Sequence, residues 1–541
     1  MEKYIIEDIS ENESDFEDSS YFFSDEEEFL SEDDNSSEIL SENNEDLDWI
    51  PHFTPTKNEK EFKVKAGVRE CKAIEDSIYP VDFFYLLFSK DLLSNIIEFT
   101  NKNASVKIDN NIQRKNKLKQ WKNLTFDEMT CFIGLLISFG LVKKSKFHNY
   151  WETSNLYSTK GLAELLSRER FSQIFRCLIF RDIEKNEKNL TSKYEILQFH
   201  IISNSQLYYL PRQNLSIDES LISFHGRSKI KIFLPLKRKR YGLKAFLLCD
   251  SSNSYVWNWD MYKGISESVV DTVMKLCIPL EGENYYIFMD RFYTTVNLFI
   301  KLRNYNFYAV GTVMPNRIRK NKKELEQMMT NSNTNFFKSK GLFLIVWKDK
   351  KIVSMLSNVK NTILSTRMKW NKEEKKRKET EIPDIASRYI DFMGGIDRFD
   401  QVSSYHSINH KSKRWPIKLF FHFLDISLHN SKLLYEETTK IKINHEKYRK
   451  KVVKGLICNW RTKKNIMPTK YKITNIDKNK IEVITDDCKL LKRDKKSDCA
   501  IHKSSDVRAR TIFYCGTCDV ALCPSPCYDK HRLISNKNKN C

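Results

Sequence analysis

Four aspartates stand where a chain could carry out metal-assisted phosphate chemistry. Asp250 ends the apolar run Ala245 to Cys249, and Asp290 ends the run Tyr285 to Met289. Short apolar runs bounded by turn residues read as buried strands. Each carboxylate is therefore placed at a strand end, the edge where ligands gather in open α/β sheets. Asp397 and Asp400 follow the backbone break Gly394-Gly395 and lie at i and i+3, so a helix would carry both on one face. Carboxylates brought together repel and hold their protons unless a cation joins them. Mg²⁺ is hard, prefers oxygen, and takes one or two carboxylates together with phosphate and water. Two such ions activate an attacking hydroxyl and stabilise a departing 3′-oxygen during in-line displacement. The competing role for each Asp is structural, since an Asp after a strand also forms turns and caps helices.

A second constellation closes the chain. Cys499-x2-His502, Cys515-x2-Cys518, Cys523-x3-Cys527 and His531 form a dense run of soft ligands. Zinc takes four such ligands in a tetrahedron, and a tail this short and poor in apolar residues needs a metal to fold. One zinc is expected and a second is plausible by ligand number. Seven ligands are in clear register, and Asp529, Cys488 and Cys541 compete for the eighth place. Lys503, Arg508 and Arg510 stand between the ligands and suit phosphates; a fold staple without DNA contact is the alternative.

The elements that must position these groups can be read from local signals. Thr125-Phe126-Asp127-Glu128 is a capping box that opens a helix over the apolar segment to Val142. Ser167 opens another, with Phe171, Ile174, Phe175 and Leu178 at helical spacing. Strand patterns begin after about residue 214. Ala245 to Cys249 and Tyr255 to Met261 are a hairpin pair around the turn Ser251 to Ser254, and Thr295 to Arg303 is a helix followed by a strand over Tyr308 to Val313. Residues 317–383 read as an insertion with small strands of its own. Helical spacing returns from Trp415 to Tyr435. Strands mixed with helices argue for an α/β layer.

Charge narrows the partner. Ninety-one Lys and Arg oppose seventy-one Asp and Glu, for a net +20. Residues 1–50 hold twenty acids against Lys3 alone, so the remainder carries +39. Such a body attracts polyanions, DNA foremost, because phosphate neutralisation releases counterions. A Lys-rich, biased genome would produce the same excess. Lys237, Arg238, Lys239 and Arg240 suit a DNA grip, a nuclear import signal or a solvated face. Lys411, Lys413 and Arg414 beside Trp415 fit a backbone grip near an unstacked base, with core packing as the alternative role of the ring. The acidic tail, with Phe22, Phe23 and Phe29, reads as a disordered segment. The longest apolar run, Cys131 to Val142, falls short of the ~20 residues of a membrane helix. An acidic start and thirteen cysteines without a secretory signal lead us to expect a reducing, intracellular setting.

From about residue 79 to 531 the chain resembles the piggyBac transposases. The likeness rests on Leu124-Thr125-Phe126-Asp127-Glu128-Met129, Tyr150-Trp151, Leu166 to Phe171, Ser216-Ile217-Asp218-Glu219-Ser220, Met393 to Gln401, and Lys413-Arg414-Trp415-Pro416. The resemblance implies an α/β multidomain chain. An RNase H-like catalytic core with an inserted small β-rich domain would be flanked by a helical dimerisation and DNA-binding domain and followed by a cysteine-rich zinc domain. The expected boundaries are an acidic tail and linker at 1–78, helical domain at 79–244 and 407–475, core at 245–316 and 384–406, insertion at 317–383, basic linker at 476–496 and zinc domain at 497–541. It further implies a DDD triad, for which Asp250, Asp290 and Asp397 are the matched positions and Asp400 a supporting acid. Two Mg²⁺, with Mn²⁺ as substitute, and Zn²⁺ are the implied cofactors. Cut-and-paste transposition follows, with hairpin formation and joining at TTAA, by a nuclear homodimer acting on terminal inverted repeats in double-stranded DNA. A domesticated DNA-binding or chromatin protein is the alternative, and a nuclease that cuts without joining is a third.

Overall fold

The computed structural model describes residues 47–109, 121–154, 156–184, 189–235, 240–265, 267–329, 333–371, 375–408, 410, 412–463, 490–499, 510–515 and 520–523. The acidic tail to residue 46 and the 464–489 segment therefore lie outside the described residues.

Helix starts follow their local chemistry. Thr125 caps the helix Phe126–Leu141, its hydroxyl accepting from the Glu128 amide at 3.4 Å. The other half of the expected capping box is diverted: Glu128 forms a forked pair with Arg170, at 2.7 and 2.6 Å. Ser167 caps Arg168–Cys177 and Thr295 caps Val296–Asn304 in the same way. Each satisfies an amide that the first helical turn leaves without a partner. Helices Pro80–Leu87, Phe126–Leu141, Trp415–Thr439 and His445–Lys463 pack into one helical body whose core is continuous with one face of the sheet. Among the described residues no helix is long and apolar enough to cross a membrane.

The sheet is mixed and ten-stranded. Asn214–Ser223 pairs antiparallel with Tyr241–Asp250, which pairs antiparallel with Val256–Met261, the expected hairpin. On its other side Asn214–Ser223 runs parallel to Tyr286–Met289, and that strand runs parallel to Tyr308–Thr312. Alternation divides the central strands cleanly. Ile287 and Met289 join the core shared with the helical body, whereas Tyr286 and Phe288 join a second core beneath helix Asp384–Phe392. Apolar contact on both faces explains why these runs show little polar alternation.

Two expectations about domain limits change. Strands Ile352–Ser357, Leu342–Lys348 and Thr334–Ser339 continue the main sheet from Tyr308–Thr312, so most of the 317–383 region is sheet extension. Their apolar positions need both faces covered, which the shared sheet provides. Off the main sheet, the hairpin Leu364–Asn371 with Lys376–Pro383 stands as a separate ribbon, and Lys360–Asn361 pairs with Lys57–Asn58. Part of the 1–78 segment is also docked. Ile50–Pro51 pairs with Thr334–Ser339, and the Trp49 indole donates to the Ile318 carbonyl at 3.2 Å.

Two glycines fix how the sheet and helical body meet. A Cβ on Gly395 would collide with Ser216 Oγ, so the helix Gly395–His406 lies directly on the central strand. A Cβ on Gly140 would collide with the His406 carbonyl oxygen, which joins the far end of that helix to Phe126–Leu141. At Gly140 the obstacle is backbone, so only glycine permits the approach, whereas at Gly395 it is the Ser216 hydroxyl that a side chain would have to push aside.

Acid stability has a defined contributor in the helical body. The buried His429 donates from Nε2 to the Ser254 carbonyl at 2.9 Å. Burial lowers its pKa to about 3 from 6.5, helped by Lys432 and Arg449 and opposed by that hydrogen bond. As pH falls through 6.5 the unfolded chain takes up a proton here while the folded chain refuses it. The contribution is intact above 6.5 and declines steadily down to about 3. His429→Gln, which keeps a donor, should therefore flatten the pH dependence of the unfolding free energy, measured by urea, between pH 6.5 and 5 by on the order of 1 kcal/mol per pH unit. Equal slopes for wild type and variant would refute the assignment.

Candidate active site

The site forms where the parallel strands Asn214–Ser223 and Tyr286–Met289 diverge. Their last registered pair is Ile217 with Met289, so Asp218 and Asp290 are the next residue of each. Both side chains are half-buried. Helix Gly395–His406 brings Asp397 to this place from above, in its first turn, because Gly395 lets the helix settle on Ser216. Asp400, one turn on, accepts from Ser220 Oγ at 2.7 Å. Asp218, Ser216 and Ser220 share one face of their strand, the face under this helix. Glu219 points to the opposite face, where the buried Tyr293 hydroxyl donates to it at 3.2 Å.

The electrostatics record this convergence. Burial first, then the charges of Glu219, Asp290 and Asp397, push the Asp218 carboxyl well above the usual carboxylate range. Burial and the Glu219 charge raise Asp290 to about 6, against the lowering effect of amide hydrogen bonds from Phe292 and Tyr293. Burial and these same acids lift the phenols of Tyr293 and Tyr389 as well. The Asp290 loop is tightly held: the Phe292 amide donates to Asp290 Oδ1 at 2.9 Å. Arg317 Nη1 donates to the carbonyls of Arg291, Phe292 and Thr294 at 3.0, 2.6 and 3.2 Å.

Asp250 is not a member of this centre. It pairs in register with Leu215, three residues before Asp218, and its side chain is fully buried. Oδ2 accepts from the Tyr209 hydroxyl at 2.7 Å and the Arg212 amide at 2.8 Å. Oδ1 accepts from the Ser252 amide at 2.9 Å and from the Ser252 hydroxyl. Arg212 adds a charge contact at 3.6 Å. With two donors on each oxygen, little lone-pair capacity remains for a metal. Asp250 is a turn former, and the turn it shapes holds the site indirectly, since Arg398 donates to the Ser251 carbonyl and reaches Ser254 Oγ at 3.4 Å. At the strand divergence it is Asp218, not Asp250, that stands next to Asp290. The signal for Asp218 lay in the Ser216 to Ser220 block, where an acid interrupts a strand pattern between apolar positions.

The donor chemistry fits a hard divalent cation: crowded carboxylate oxygens, two of them with raised proton affinity, need a positive charge to neutralise them. Among the described residues no three His, Cys, Asp or Glu side chains already stand in metal-holding geometry, so the acids converge without closing on one point.

The expected basic grips fare unevenly. Arg414 is consumed structurally, its guanidinium donating to the carbonyls of Phe175 (2.9 Å), Arg176 (3.4 Å) and Leu178 at the end of helix Arg168–Cys177. Trp415 is buried, edge-on to Tyr194 at 5.9 Å, so core packing decides its role. Arg240 and Lys413 are exposed, and Arg510 lies 3.7 Å from Asp498. Lys237, Arg238, Lys239, Lys411, Lys503 and Arg508 lie outside the described residues. Of the cysteine-rich tail, Cys499 is buried and its Sγ accepts from the Cys523 amide at 3.3 Å. The side chain of Cys515 and all of His502, Cys518, Cys527 and His531 lie outside the described residues.

Comparison with known proteins converges on one family. A family model described as Transposase IS4 matches residues 79–432. The human PiggyBac transposable element-derived protein 2 is 26% identical over 374 residues, covering 65% of this chain and 60% of that protein, so the match spans three fifths of the relative's length. The human PiggyBac transposable element-derived protein 3 is 23% identical over 423 residues, covering 74% and 69%. The fold is similar to that of a piggyBac transposase solved by cryo-EM as a synaptic complex with hairpin DNA, with a TM-score of 0.62 and 24% identity over 77% of this chain and 90% of that one. With the transposase model spanning most of its length, the chain belongs to the piggyBac family of transposases.

Proposed function

We propose that this chain is a metal-dependent DNA transposase whose strand cleavage and joining take place at Asp218, Asp290 and Asp397. The observation that carries this reading is the mutual influence of those acids at the divergence of two parallel strands. Asp218, Asp290 and Asp397 would hold Mg²⁺, with Asp400 in support. The bound ions would supply Lewis acidity for an in-line phosphoryl displacement. The chain's own groups prepare the place. Arg317 fixes the loop that carries Asp290, Gly395 sets the height of Asp397, and the buried phenols of Tyr293 and Tyr389 wall the acids with low-dielectric material. DNA as substrate is supported by the net +20 charge and by the hairpin DNA in the related solved complex. Hairpin intermediates, TTAA joining, a dimer, nuclear action and a zinc-bound tail using Cys499 and Cys523 belong to this proposal.

The names of the human relatives favour one second reading, a transposon-derived DNA-binding protein without transposition. An excision assay separates the two. The genomic DNA flanking the coding region is searched for inverted repeats bounded by TTAA, and a marked element is built from it. Metal-dependent release of that element, leaving an intact TTAA, is the expected result. Flanks without repeats, together with DNA bound but never cut, would replace transposition with the second reading.

A further inference from the structure

On the sheet face opposite Asp397, a second cluster borders Asp290. Lys244 and Phe246 stand in register with Leu221 and Glu219, so they share the face that Glu219 occupies. The Lys244 ammonium lies 4.5 Å from the ring centre of Phe292 and 4.8 Å from that of Phe246. It makes no ion pair or hydrogen bond among the described residues. Phe292 is 37% exposed although it lies two residues from Asp290. Beneath it the edge of Tyr293 packs at 5.0 Å and 88°, and Tyr293 is itself tied to Glu219. The backbone amide of Phe292 is bonded to Asp290, and its carbonyl to Arg317. The exposed ring is therefore rigidly presented, and its position is geared to a carboxylate of the site.

We propose that Phe292 and Lys244 form a seat for one unpaired nucleotide next to the loop that carries Asp290. This inference rests on the DNA-cleaving reading above. The exposed part of the Phe292 ring stacks a base, which any of the four bases can satisfy because each presents a π-face. The Lys244 ammonium, held over the rings by cation–π attraction and without an acid partner among the described residues, takes the accompanying phosphate. Paired DNA has its bases stacked inside the duplex and cannot use the ring, so the seat selects an unstacked position. A protein that must bend or open DNA at its cutting point gains a fixed anchor for the nucleotide it displaces.

The test uses the full chain without metal and a DNA hairpin carrying 2-aminopurine in its unpaired loop. Binding by the wild type is expected to quench 2-aminopurine, whereas the same probe base inside a paired duplex changes little. Phe292→Ala should lose the quench and bind the hairpin about tenfold more weakly, while duplex affinity holds. Phe292→Trp should restore both, and Lys244→Gln should lower the salt dependence of hairpin binding. A quench and hairpin affinity unchanged in Phe292→Ala would overturn the seat, even if the wild type cuts DNA normally. A wild type that binds neither hairpin nor duplex would overturn the seat and the DNA-cleaving reading together.

Discussion

Asp218→Asn should leave DNA bound and uncut. The substitution keeps the volume and removes one of the charges on which metal-assisted displacement depends. Cleavage is expected to fall on the order of 10³-fold or more, about 4 kcal/mol of transition-state stabilisation. Two further readouts accompany the loss. DNA affinity should hold or rise, because a negative charge has left a phosphate-binding site. Metal-free protein should melt at a higher temperature, because the Asp218 carboxylate is held against Glu219, Asp290 and Asp397 and its charged form costs stability at neutral pH. The sign follows from its raised pKa: the folded chain binds the proton more tightly than the unfolded one, so ionisation weakens the fold. Gel cleavage, fluorescence anisotropy and thermal unfolding report the three effects. Wild-type cleavage by the variant would remove Asp218 from the site.

The opposite pattern is expected at Asp250. Asp250→Ala strips the acceptor from the Tyr209 hydroxyl, the Arg212 amide and the Ser252 amide inside a fully buried site. It also leaves Arg212 with Glu437, at 3.1 Å, and the Tyr209 hydroxyl, at 2.6 Å, but without the Asp250 charge. Breaking a buried, charged network by removing one partner costs about 3–5 kcal/mol. Urea unfolding should show a loss of that size, with cleavage per folded molecule reduced far less than in Asp218→Asn. A variant as stable as the wild type yet inactive in cleavage would return Asp250 to the catalytic centre.

The contrast between these two aspartates marks what the sequence disclosed. Caps were legible because their physics is local: Thr125 and Ser167 each satisfy an amide three residues on, while Thr295 was read only as the first residue of its helix. Central strands were legible for a similar reason, since four or five apolar residues between turns have few other uses. Asp250 and Asp290 looked alike in this light, each an acid ending an apolar run. What separates them is register. Asp290 emerges beside Asp218 because Ile217 pairs with Met289, a long-range match that no local pattern records. Asp250 runs antiparallel to the same strand and ends near Leu215, among the donors of Tyr209, Arg212 and Ser252. Asp218 was hidden for the converse reason, lying mid-strand where an acid reads as a solvent-facing position. The strands after Tyr308–Thr312 were recognisable one by one, but their enrolment in the main sheet depends on the distant partner. Arg414 shows the same limit from the surface side: a basic motif beside an aromatic reads as a grip, and only the fold reveals three carbonyls occupying it.

The helix that carries Asp397 is pinched at both extremities, by Ser216 against Gly395 and by Gly140 against the His406 carbonyl. A rod held without slack between two bodies behaves as a strut. Any tilt of the helical body must either stop there or shift the third acid relative to the other two. The spacing of the acids is consequently tied to the whole chain's posture, and a side chain at Gly140, pressed against the backbone carbonyl of His406, would disturb that spacing together with the packing of the helical body.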